Sequence, residues 1–83
     1  MAARVAELML GRLEEMINHQ RGKVMQIARD RLPYLTQDDV LNPHDFPELQ
    51  NDPTFNFEDG ILAGFVSAQL ALRACWRQHS DSE

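Results

Sequence analysis

The run from Gly60 to Trp76 constrains this chain more than any other stretch: Gly-Ile-Leu-Ala-Gly-Phe-Val-Ser-Ala-Gln-Leu-Ala-Leu-Arg-Ala-Cys-Trp. A helix that is apolar nearly all round has to be covered on most sides. Small residues recur every four positions at Gly60, Gly64 and Ala68, and return at Ala71 and Cys75. Such a stripe lets two helix backbones approach closely. Ile61, Leu62, Phe65, Val66, Leu70, Leu72 and Trp76 fill the rest of the surface. An 83-residue chain has little else with which to cover that rod, because small domains bury a smaller fraction of their surface. A second copy of the chain is the natural cover. Packing of the small stripe on the chain's own first helix is the plain alternative, and the two are indistinguishable in sequence.

Residues 2–32 read as the other long helix. Ala6, Leu10, Leu13, Ile17, Val24 and Ile27 recur at alternating steps of four and three, with Gln20 and Arg31 in the same row. That spacing is the seam of a bundle helix. Val5, Leu8, Met9, Met16 and Ala28 widen the stripe. Gly11 and Gly22 weaken it, each by about 1 kcal/mol relative to Ala, but the apolar phase passes through Gly22 without slipping. Pro33 ends the helix, since the residue before a proline avoids helical dihedrals. Gln20 within the seam reads as a partly exposed position or as a hydrogen bond across a dimer, a known device for fixing register.

Residues 33–56 hold all four prolines, yet Tyr34, Leu35, Val40, Leu41, Phe46, Leu49 and Phe55 are too apolar for a solvated linker. Three pairs fit an N-cap with a carboxylate three residues on: Thr36 with Asp39, Asn42 with Asp45, and Asn56 with Asp59. Pro43 and Pro53 fit the first position of a helical turn. These signals predict short turns at 37–41, near 43–50 and at 53–55, then a final helix over 57–79 capped by Asn56. Residues 80–83 read as a frayed polar tail. The expectation is a single all-α domain over residues 1–83, an antiparallel two-long-helix hairpin with short helical turns in a Pro-rich connection. It assembles as a helical-bundle homo-oligomer, a dimer in its simplest form.

Charge is unevenly spread. Residues 1–31 carry six basic and four acidic side chains, residues 32–60 carry seven acidic and no basic ones, and the remainder balances. The acidic middle argues against a nucleic-acid surface. The cluster Arg21, Lys23, Arg29 and Arg31 is expected to face that acidic segment. Cys75 is the only cysteine, so no disulfide framework exists. Its apolar helix suggests a buried, inert thiol, and a reducing cytoplasm is the expected setting. Glu7 and Arg12 interrupt the first apolar residues, unlike a secretory leader. The apolar run after Gly60 is too short and too interrupted to span a membrane.

Few residues suggest chemistry. Glu15 and His19 share a helical face, and carboxylate and histidine side chains on bundle helices hold metals. The usual spacing there is three rather than four, which places the pair on an exposed or boundary face, and a solvated helical face is the plainer explanation. Dimer symmetry would double the ligands, with Glu14, Glu58 or Asp59 as candidates to join them. His44, Asp45 and Glu48 cluster in the middle segment, where capping and exposure explain them. No phosphate loop, nucleophile elbow or Cys-x-x-Cys is present, and no cofactor is expected. The functional expectation is therefore a non-enzymatic oligomerisation or protein-interaction module, with a metal-binding carboxylate/histidine bundle as its rival. Its expected interface comprises Gly60, Gly64, Phe65, Ala68 and Leu72 on the last helix with Leu13 and Ile17 on the first. Its expected partner surface comprises Asp38, Asp39, His44, Asp45 and Phe46, with Tyr34 and Phe55 as further exposed aromatics.

Overall fold

The computed structural model describes residues 2–81, with side-chain surroundings for residues 3–79. Four helices follow in order: α1 (Ala2–Arg31), α2 (Gln37–Val40), α3 (Pro47–Gln50) and α4 (Pro53–Asp81). A 3-10 turn, Pro43–Asp45, sits between α2 and α3. No strand occurs among the described residues. The two long helices form an antiparallel hairpin about 50 Å long and 19 Å wide. The pairing runs in opposite directions: Gln20 of α1 meets Glu58, whereas Glu14 meets Gln69 and Arg73.

Helix α1 passes through Gly11 and Gly22 unbroken, as the unslipped apolar phase requires. Its last bond, from the Leu32 N–H to the Ala28 carbonyl, closes just before Pro33. The chain then turns at Pro33–Tyr34 and enters α2 through a complete capping box. The Asp39 N–H donates to Thr36 Oγ1 at 3.2 Å, and the Thr36 N–H donates back to Asp39 Oδ2 at 3.1 Å. The other two predicted caps do not form. Asn42 makes no side-chain cap bond. Helix α4 begins at Pro53, four residues before the expected start at Phe57, with Asp52 as its cap. Asp52 Oδ1 accepts the Phe55 N–H at 2.8 Å, while Pro53 occupies the first position, which needs no N–H donor. The turn expected at 53–55 is thus the first turn of α4. Asn56 sits inside that helix, and its amide donates to the Gln50 carbonyl at 2.8 Å. Ser80 and Asp81 remain helical, so the expected tail at 80–83 is helix for those two positions, and Ser82 and Glu83 lie outside the described residues.

The core lies at the closed end of the hairpin. Val24 and Ala28 of α1, Leu35 of the turn, Leu49 of α3 and Phe55 of α4 are buried together. Ile27, Leu32, Val40, Phe46 and Leu62 pack around them. Here the middle segment forms a third layer over the two long helices, and three layers can enclose side chains where two cannot. Toward the open end Ile17 is the only buried hydrophobic among the described residues. Two helices side by side cover one stripe each and leave their flanks in water.

Candidate functional site

The small stripe does not pack inside the hairpin. Gly60, Gly64 and Ala68 are exposed, and a Cβ added at either glycine would meet nothing within 4 Å. Helix α4 turns Leu62, Phe65 and Gln69 toward α1 instead. The intrachain explanation for the stripe is therefore removed. Of the remaining expected interface residues, Leu72 is 51% exposed, and Phe65 and Leu13 are half-buried. Ile17 is buried in the hairpin itself. Cys75, expected to be buried, is exposed, because it continues the same outward row of α4.

Several large apolar side chains are also exposed toward the open end. Leu8 and Met9 are 68% and 67% exposed, and Val5, Met16 and Leu70 are also open to solvent. Val5, Met9 and Met16 share a helical stripe beside the α1 seam. Met16 and Phe65 line a shallow groove of about 430 Å³ with Arg12, Glu15, His19 and Gln20. The metal candidates Glu15 and His19 therefore border the uncovered apolar face. Both are exposed, and Glu15 lies 3.4 Å from Arg12. Among the described residues no three His, Cys, Asp or Glu side chains converge as a metal site. Two of the three additional candidates are engaged elsewhere: Glu14 accepts from Gln69 and pairs with Arg73, and Glu58 accepts from Gln20, while Asp59 lines a different groove from Glu15 and His19.

Gln20 is buried and bonds within the chain, not across a dimer. Its amide donates to the Glu58 carbonyl at 2.9 Å and to Glu58 Oε2 at 2.7 Å. Lys23 Nζ adds a contact at 3.1 Å to Glu58 Oε1. Together the Gln20 amide and the Lys23 ammonium hold the Glu58 carboxyl below its usual range. Asp52 is lowered likewise, first by the Phe55 N–H and then by Arg31, whose Nε lies 2.6 Å from Oδ2. Two of the four clustered basic residues thus meet the acidic segment. Arg29 instead donates to the Leu35 carbonyl, and Arg21 donates to Asn18 Oδ1.

The expected partner surface divides. Asp38, His44 and Asp45 are exposed, with His44 Nε2 3.5 Å from Asp45 Oδ1. Asp39 is half-buried in the capping box, and Phe46 packs on the core. Phe55 is fully buried, which removes it from any docking surface, while Tyr34 and Leu41 are the most exposed large hydrophobic side chains of the connection.

One feature escaped the sequence reading. A groove of about 840 Å³ runs along α1 from Asn18 to Asp30, bounded by α2 and by Asp59 and Leu62 of α4. The sequence pairs Asp59 with Asn56 as a helix cap, and with α4 starting at Pro53 that task disappears. Its carboxyl now stands in the groove wall, where burial raises its pKa. Only the true start of α4 would have freed Asp59 for a second role.

No helix among the described residues is long and apolar enough to cross a membrane. No protein-family model matches this chain, and no match is found among curated proteins or solved structures.

Proposed function

We propose that this protein is a non-enzymatic interaction module whose hairpins pair, copy against copy, into a helical bundle. The supporting observation is the open end, where large apolar side chains of both long helices stand in water beside a small-residue row with nothing against it. Large apolar side chains exposed in this number mark an interaction site on a small chain. A second hairpin laid on it supplies the missing layer, and Gly64 and Ala68 permit close approach of the backbones. Exposed Cys75 suits a reducing compartment such as the cytoplasm, where it stays a thiol.

Sedimentation equilibrium at micromolar concentration tests the reading. The expected result is a dimer or larger assembly that Met9→Asp and Leu72→Asp dissociate, since both place a charge on the uncovered face. A folded monomer at every concentration would overturn it.

A metal-binding bundle is the second reading, favoured by one observation: Glu15 and His19 border the face through which copies would pair. Pairing would then bring two such sets together. Elemental analysis of purified protein decides it. Stoichiometric iron, manganese or zinc that disappears in both Glu15→Ala and His19→Ala would establish this reading.

A further inference from the structure

Beyond self-assembly, we infer that the groove between α1, α2 and α4 docks a short amphipathic helix of another protein, with a lysine or arginine of that helix paired to Asp59. The groove shares no lining residue with the one beside Met16 and Phe65, so it is a separate surface. It follows α1 for about three turns, from Asn18 to Asp30. That length suits a helix laid along it, anchored at helical spacing by apolar side chains. Val24, Met25, Val40 and Leu62 give the groove its apolar lining, and Leu41 stands exposed at its edge.

Charge complementarity sets the sign of the guest. Among the described residues Asp30, Asp38 and Asp59 make no side-chain hydrogen bond or ion pair. The two guanidiniums bordering the same groove already donate within the chain, Arg29 to the Leu35 carbonyl and Arg21 to Asn18. The lining thus carries three carboxylates against two guanidiniums, and only the carboxylates make no hydrogen bond or ion pair within the chain. Asp59 is the most sheltered of the three carboxylates, and burial without a partner disfavours its ionised form. A cation on the guest would restore what the groove wall takes from water. Gly22 keeps the α1 wall low, because an added Cβ would project into open space.

The test uses the full chain and a fluorescein-labelled Leu/Lys peptide designed as an amphipathic helix, followed by fluorescence anisotropy. Binding is expected to weaken by about tenfold or more in Asp59→Asn, and to weaken in Leu41→Ala. Asp45→Asn, outside the groove, is expected to leave it unchanged. The same peptide with Glu in place of Lys is expected not to bind. Sedimentation of the same samples keeps this proposal separate from self-assembly: bound peptide on a monomeric chain would sink the pairing and leave the groove standing. Equal binding by Asp59→Asn, equal binding of the Glu peptide, or competition by hexylammonium as effective as by the peptide itself would each overturn the inference. Dissociation of the assembly by the peptide would assign the groove to a second copy and overturn it as well.

Discussion

Asp52 joins the connection to α4 with two bonds from one carboxylate. One oxygen caps the helix through the Phe55 N–H, and the other holds Arg31 at the end of α1. Asp52→Ala should therefore lower the melting midpoint more than Asn56→Ala, which removes only a bond to the Gln50 carbonyl. Thermal unfolding followed by circular dichroism checks the order, and equal shifts would contradict the cap assignment. The carboxylates also predict opposite responses to acid. Asp52 and Glu58 have lowered native pKa values. Their stabilisation is present above the ordinary carboxylate range and is lost as pH falls through the lowered native values. Asp59 is raised, so its contribution is fully present below the ordinary aspartate value and is lost as pH rises through the raised one. Asp59→Asn should accordingly raise stability at neutral pH relative to the parent. It should make no difference once both forms are neutral, at about pH 3 and below. Urea midpoints across that range provide the measurement, and an unchanged or lowered neutral-pH midpoint would contradict it.

At the scale of elements, α1 and α4 are long helices whose packed and unpacked halves should respond differently to mutation. Phe55 is fully buried among Val24, Ala28, Leu35 and Leu49, so Phe55→Ala should destabilise by about 3–5 kcal/mol. Gly22 is exposed in the interior of α1 with free space around it. Gly22→Ala should stabilise the helix by about 1 kcal/mol. Gly64 has the same free space in the single chain, yet it lies on the face proposed for pairing. Gly64→Leu should leave helicity intact in a dilute sample while weakening assembly, because an added isobutyl group cannot fit between touching backbones. Chemical unfolding with sedimentation on the same samples separates the two effects. If Gly64→Leu assembles as the parent does, the small row takes no part in the interface.

For the whole molecule, stability is concentrated at one end. Three layers enclose the core near the connection, whereas the far end is two helices with apolar flanks. Pairing would cover those flanks, so the melting temperature should rise with protein concentration, as binding to the native state alone requires. Hydrogen exchange should show the open ends of α1 and α4 as the least protected parts of the helices when the chain is dilute, and more protected when it is concentrated. A melting temperature that does not change with concentration would argue that the open end stays uncovered.

Local chemistry was enough to read the two long helices from the sequence. The apolar phase of α1, its stop at Pro33 and the Thr36–Asp39 capping box involve residues a few positions apart, and their geometry follows from dihedrals and single hydrogen bonds. The competition between Asp52 and Asn56 for the start of α4 was not legible, because both fit an N-cap locally. Asp52 caps the helix while also reaching Arg31, and Asn56 instead reaches back to Gln50. Burial was decided at still longer range. Phe55 and Tyr34 are both aromatics in the connection, yet one is enclosed and the other stands in water. Gln20 in the apolar row fits a partly exposed position or a link between copies, and only Glu58, 38 residues away, shows its partner to lie within the chain. Periodicity marks a helix's apolar face, but the direction in which α4 turns its small row, away from α1, depends on the register of two helices joined by a folded connection. Only the tertiary structure decides that register, and with it the exposure of Gly64 and the groove beside Asp59.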